Sequence, residues 1–430
     1  MGTRVLPNRL AVRLFQLISG NSVSLVAVSR LVSMFLTLLT APLIARAIGP
    51  DGRGETATAL AAFGIVPIVV GFGLPLELRR IIATQNIRSA IRASRDICFL
   101  LIFPCLIIAL LLYVTIFSSM QLSVAIIAST GVALAPLCIS WLCDQSVMIA
   151  RENYRSVAYI QLAQPICYVG LIVIGFSVDV LTVQYVLIAN ICGMIVTFLV
   201  GLHVCRASFF GTRTRRRNLV RGGLKFAGSA IAETATNRLD QLLVLPLIGG
   251  FATGLYSVAV TISSIPLSIG HALGAHFFNV SAKSPVPDRA VSGASIRLGF
   301  IAAALCAIPI CVVSPVLVPL IFGDEFSAAI NLVLISQGGS VMMTSAYVGS
   351  MVLAGQGEGR RMLLAQVSSL AVGIPLLFIL APQFSAIGAS IASVAGYFTL
   401  LVIVSISLGI GFRDLIPRLS DVREIFVVMR

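Results

Sequence analysis

The sequence predicts an all-α polytopic membrane protein, with about 12 transmembrane helices in two six-helix lobes related by a parallel pseudo-twofold repeat. Three observations carry this. The 430 residues are 58% hydrophobic and 11% charged, with a mean hydropathy of +1.03, outside the range of soluble domains. Apolar stretches of about 20 residues, each enough to cross a hydrocarbon layer of roughly 30 Å as helix, recur along the whole chain. Short loop motifs repeat at a nearly constant offset between the two halves. A β-barrel would need strands of about ten residues with alternating polarity, and these stretches are long and apolar on most faces.

The spans follow in order. The first, 22–45, succeeds a basic start; it is too long for a signal peptide and carries Arg30, so it is expected to remain as an uncleaved helix. The turn signal "IGPDGRG" separates it from 56–76. Spans 97–117 and 122–149 come next, then 157–177 after "RENYR", and 181–204. The arginine-rich link "RASFFGTRTRRRNLVRGG" divides these six from 222–247, 252–276, 292–321, 327–354, 361–381 and 385–410. The expected organisation is a lobe over 1–205, a basic linker over 206–221, a second lobe over 222–410 and an interfacial tail over 411–430.

"IGPDGRGETATALA" (48–61) aligns with "IGGFATGLYSVAV" (248–260), so that Ile48/Ile248, Gly49/Gly249 and Gly54/Gly254 all sit 200 apart. "VMIARENYR" after the fourth span matches "MVLAGQGEGR" after the tenth at an offset of 204. Each half holds an even number of spans, so both enter from the same side and the repeat is parallel.

A net charge of +14 in a soluble chain would suggest nucleic acid, so the placement of the basic residues decides. All but four of the 30 Lys and Arg fall in one set of alternate loops. Arg46 and Arg53 lie in the other set, and Arg30 and Arg238 lie inside spans. The positive-inside rule then predicts both termini in the cytoplasm, with the basic loops meeting anionic headgroups and no nucleic acid as partner.

Nine cysteines without a CxxC pair read as small buried side chains. His271 and His276 are five apart and do not share a metal-binding helix face, so they are expected to serve packing or to lie at the interface. Asn279-Val280-Ser281 matches a glycosylation sequon on the side predicted to be cytoplasmic, and no nucleotide-binding GxxxxGK[ST] occurs. No metal or cofactor is implied.

The seventh span concentrates polar groups where insertion of one charge costs on the order of 3 kcal/mol. With Glu233 at 0° and about 100° per residue, Asn237 falls near 40°, Gln241 near 80°, Arg238 near 140° and Asp240 near −20°. They fill one arc of roughly 160°, with Arg238 and Asp240 at opposite edges, so Arg238 needs a partner elsewhere. Arg30, Ser33 and Thr37 form a similar stripe on the first span. Two uses fit: structural ion pairs with Asp144, Glu77 or Glu233, or a central cavity in which Arg30 and Arg238, with Asn237 and Gln241, meet an anionic substrate. Guanidinium suits phosphate because its planar fork donates two parallel hydrogen bonds and stays charged. Glu233, Asp240, Asp144 and Glu77 are candidates for ion pairing or for carrying a coupled ion.

Several stretches together resemble the polysaccharide-transporter flippases of the multidrug/oligosaccharidyl-lipid/polysaccharide exporter superfamily. They are "LIARAIGPDGRGETATALAAF", "NRLDQLLVLPLIGGFATGLYSVAV", "LIFGDEFSAAINLVLISQGGSVMMTSAYVGSMVLAGQGEGRRM" and "FSAIGASIASVAGYFTLLVIV". The resemblance implies alternating access between two lobes in a bacterial inner membrane. It also implies a polyprenyl-pyrophosphate-linked oligosaccharide as cargo, cavity arginines on the pyrophosphate, and service to other polysaccharide assembly proteins. Alternatives are a multidrug/cation antiporter of the same superfamily, whose cavity would favour acids, and a membrane-embedded polymerase or acyltransferase. The last usually needs a long outer loop or a His/Asp cluster, and every outer loop here is short. A transporter, and no enzyme, is the expectation.

Overall fold

A computed structural model describes residues 23–82, 87–206, 211–283 and 289–411. The expected interfacial tail lies outside the described residues, apart from Gly411. The helices are α1 (Val23–Gly71), α2 (Leu74–Ile82), α3 (Ile87–Leu100), α4 (Ile102–Thr115), α5 (Leu122–Ala133), α6 (Ala135–Ala150), α7 (Tyr154–Ser177) and α8 (Val183–Cys205). After the linker come α9 (Arg216–Ser263), α10 (Ile265–Lys283), α11 (Arg289–Phe322), α12 (Ala329–Gly355) and α13 (Gly359–Ser407). Among the described residues there is no strand, and eight helical stretches are long and apolar enough to cross a membrane.

Three of those stretches are too long for one crossing, and each contains a break. α1 breaks at Gly49 (φ 66°, ψ −178°), α9 at Gly249 (φ 80°, ψ 172°) and α13 at Ser385. The two glycines adopt the same left-handed, extended backbone at positions 200 apart, a conformation that glycine takes without a Cβ penalty. The breaks are reversals. Sixteen residues of straight helix span about 24 Å, yet the Tyr256 hydroxyl donates to the Asp240 carboxylate at 2.5 Å across Gly249. Likewise Ser369 Oγ donates to the Gly396 carbonyl at 2.8 Å across Ser385. Each long stretch therefore accommodates two of the spans expected from sequence. Elsewhere side chains close helix starts: Asn153 Oδ1 accepts from Ser156 N, and Thr182 Oγ1 from Tyr185 N.

The largest apolar cluster joins the second limb of α1 to α2–α8 and reaches into α9 through Leu242 and Leu245. Reciprocally, Ala41 and Ala45 on the first limb of α1 pack with Tyr256, Ala259 and Phe322 of the second half. The halves thus exchange limbs, and they touch at matched glycines. A Cβ on Gly54 would fall against the Gly250 carbonyl, 3.0 Å from Gly254 N, and one on Gly254 against the Pro50 carbonyl, 2.6 Å from its carbon. Adding 200 converts the first contact into the second with its partners exchanged, as a twofold requires. Small residues let the backbones approach this closely.

At the arginine-rich end a different contact operates. The Gly73 Cβ position lies 2.5 Å from the Gly223 carbonyl, and the Glu77 side chain presses on Gly222. Arg46, beside the Gly49 reversal, donates from Nε to the Ile321 carbonyl at 2.9 Å and from its terminal nitrogen to Leu320. It caps the end of α11, where the helix dipole favours a cation.

Candidate functional site

The first limbs of α1 and α9 present the two intramembrane arginines. Ser29 Oγ donates to Gln161 Oε1 of α7 at 3.1 Å, which fixes the rotation of α1. Arg30, the next residue, is thereby turned outward from that packing and is exposed. Its charge acts on Glu233 of α9, His271 of α10 and Tyr347 of α12, so it looks across to the second half of the chain. His271 stands edge-on to Tyr347 with ring centroids 4.6 Å apart, which is packing of the kind the sequence suggested, but beside Arg30.

Arg238 lies over Gly64 of α1, with its terminal nitrogen, Cδ and Cζ 3.1–3.3 Å from where a Cβ would stand. Its side chain is open to water-sized contact and at the same time closely surrounded by protein. That combination belongs to a side chain lining a cleft rather than one facing lipid. Thr58 donates to the Gln241 carbonyl at 3.3 Å, pinning α9 to α1 one turn along; Asn237 and Gln241 are half-buried. Arg30 precedes Gly49 by 19 residues and Arg238 precedes Gly249 by 11. At about 1.5 Å per residue the two arginines are separated by about 12 Å in depth, so they are stacked rungs and not one clamp.

The acids divide. Asp240 accepts from Tyr256 Oη at 2.5 Å, from Ser393 Oγ at 3.0 Å and from Gln241 N at 2.7 Å, all within the second half. It borders a small cavity shared with Ser369, Gly373, Gly396 and Tyr397 of α13. Asp144 stands 3.8 Å from Arg95, and Glu77 makes a two-pronged pair with Arg80 at 2.7 and 2.8 Å. Asp144 and Glu77 are therefore engaged elsewhere and do not partner Arg30 or Arg238, which corrects the ion-pair alternative for those two acids. Glu233 is the acid that remains near Arg30. Among the described residues no carboxylate comes within ion-pair distance of Arg238, and no cluster of metal-ligating side chains occurs.

Residues 19–275 match the family described as polysaccharide biosynthesis protein, more than half of the chain. The chain belongs to that family. Its fold is similar to that of the lipid II flippase MurJ in an inward closed conformation, with a TM-score of 0.76 at 10% identity over 94% of this chain and 92% of that one. It is similar also to an inward-facing multidrug resistance MATE family transporter of the MOP superfamily: TM-score 0.64, 15% identity, 94% and 99% covered. A point mutant of the Vibrio cholerae MATE transporter VcmN gives 0.62 at 16% identity, covering 98% and 99%. No curated protein matches the chain in sequence. The family match ties the chain to polysaccharide biosynthesis, and the likeness in fold is to multi-pass membrane proteins whose solved members are a flippase and multidrug transporters.

Sequence reasoning missed Gly64, Gln161, Tyr256 and Ser393. Only Gly64 carried any signal, as a small residue inside an apolar span, where close backbone or side-chain approach is the usual cause.

Proposed function

We propose that this member of the polysaccharide biosynthesis family moves a polyprenyl-diphosphate-linked oligosaccharide from the cytoplasmic to the periplasmic leaflet of a bacterial inner membrane. Both termini lie in the cytoplasm. The two lobes, over 1–205 and 222–410, rock about the glycine contacts while the basic linker over 206–221 joins them. Arg238 carries the proposal: an accessible guanidinium between the halves, seated on a glycine and without a carboxylate partner, offers a fixed bidentate donor to a phosphoryl group. Arg30 holds a lower rung, and Asn237 and Gln241 replace hydration around the sugar. The prenyl tail stays in lipid. Asp240 and Glu233 are the acids placed to respond to an ion or proton.

In a strain lacking this chain, lipid-linked repeat units should accumulate on the cytoplasmic face and a surface or secreted polysaccharide should disappear, with glycosyltransferase activity in extracts intact. Loss of drug resistance with normal polysaccharide would assign the chain to the multidrug branch instead.

A further inference from the structure

The sequence places Arg53 in an outer turn, where an arginine snorkels to water. In the structure it does the opposite. It follows Gly49 by four residues, yet its side chain is 8% exposed and its terminal nitrogen donates to Thr261 Oγ1 at 3.2 Å. Thr261 lies 12 residues beyond Gly249, about 18 Å along the limb from the reversal. The guanidinium is thus drawn inward, between the halves, and its charge also reaches the buried Tyr168 of α7. No carboxylate pairs with it among the described residues, and its Nε is buried without a partner. Thr56, three residues on and so on the same helix face, has an equally unpartnered buried hydroxyl. Neighbouring Arg46, by contrast, finds the carbonyls of α11.

A guanidinium keeps its charge at any working pH and is strongly disfavoured when buried without a counter-charge. Its own orphaned Nε and the orphaned Thr56 hydroxyl show a place for acceptors that the chain itself does not fill. We propose that Arg53, with Thr56, is an anion-binding rung at the Gly49 end of the cleft that takes the phosphoryl groups of the cargo. This rests on the flippase proposal above. Arg53 adjoins Gly54, so parting of the Gly54/Gly254 contact uncovers it, and the cargo passes from Arg30 and Arg238 to Arg53 as that end opens.

The test uses the full chain in lipid nanodiscs, with a polyprenyl diphosphate, inorganic diphosphate and sulfate as probes and binding and melting as readouts. Arg53→Gln should melt at or above the parent without ligand, because an uncompensated charge is gone. It should bind the polyprenyl diphosphate about tenfold or more weakly, the worth of one charge-assisted hydrogen bond. Inorganic diphosphate should compete and sulfate should not. A variant that melts lower and binds with unchanged affinity makes Arg53 a structural tie and overturns the proposal. So does competition by sulfate equal to that of diphosphate, or none by diphosphate. If Arg53→Gln does not fold, Arg53→Lys decides: weakened binding supports the rung, unchanged binding overturns it. Loss of binding in Arg238→Ala but not at Arg53 leaves the flippase proposal standing and removes this one; a parent chain that binds no polyprenyl diphosphate removes both.

Discussion

Replacing Gly254 by alanine places a Cβ against the Pro50 carbonyl, 2.6 Å from its carbon and 2.9 Å from Pro50 Cα. These are backbone atoms and cannot swing aside. Ordinary contact begins near 3.4 Å, so the limbs must part by about 1 Å. Overpacking of this kind costs roughly 1–3 kcal/mol, against a gain of up to about 1 kcal/mol in helix propensity. Gly54→Ala, 3.0 Å from Gly254 N, should act in the same direction. Gly170→Ala is the control, since its Cβ meets nothing within 4 Å. Melting in detergent and export in cells are the assays. Both contact variants should lose stability relative to Gly170→Ala. Export should fall as well, because the wedge favours a form in which this end is parted. If Gly254→Ala matches Gly170→Ala in both assays, the matched glycines are not the contact on which the lobes close.

Arg238→Ala should leave membrane abundance intact and abolish export, and Arg238→Lys should restore only part because a point charge lacks the fork. Lowered abundance that recovers on adding Glu233→Gln or Asp240→Asn would mark Arg238 as half of a structural pair. Tyr256→Phe and Ser393→Ala each remove a donor from the Asp240 carboxylate and should lower stability by about 1–3 kcal/mol in denaturation. No change would mean that water replaces the lost donor and that the carboxylate is wetter than its partners indicate. Reporters fused at Asp324 and at Arg215 should read opposite sides of the membrane, periplasmic and cytoplasmic respectively; the same side for both would overturn the span order.

What the sequence disclosed about the fold was whatever depends on local chemistry. Gly49 and Gly249 were legible because a left-handed backbone nearly demands glycine, and a reversal between two apolar limbs must have one. The polar arc on α9 was legible because charges in hydrocarbon are rare. In space Arg238 and Asp240 form no ion pair, and Asp240 accepts from Tyr256 and Ser393 while its charge still reaches Arg238. Those two partners lie 16 and 153 residues away, and nothing in a helical wheel announces them. The burial of Arg53 is hidden for the same reason: its place in a turn says nothing of the side chain's direction, and the approach of the second limb of α9, bringing Thr261, turns it inward.

The unequal provision of counter-charge gives the proposed cycle a direction. Arg30 has Glu233 nearby, so its end of the cleft can close empty at modest electrostatic expense. Arg53 has no such acid, and Asp240, whose charge reaches Arg238, is already taken up by Tyr256, Ser393 and the Gln241 amide. Closing over these two guanidinium groups with nothing aboard therefore strips their water with little compensation. A diphosphate supplies the missing charge and lowers the energy of the closed, loaded form relative to the closed, empty one. A ligand shifts a conformational equilibrium only by its differential affinity for the two states. In the proposed cycle that difference comes from dehydration: phosphoryl groups would bind most tightly where the lobes have excluded water. The same chain without its arginines would close as readily empty as full, and would lose selectivity for anionic cargo before it lost its fold.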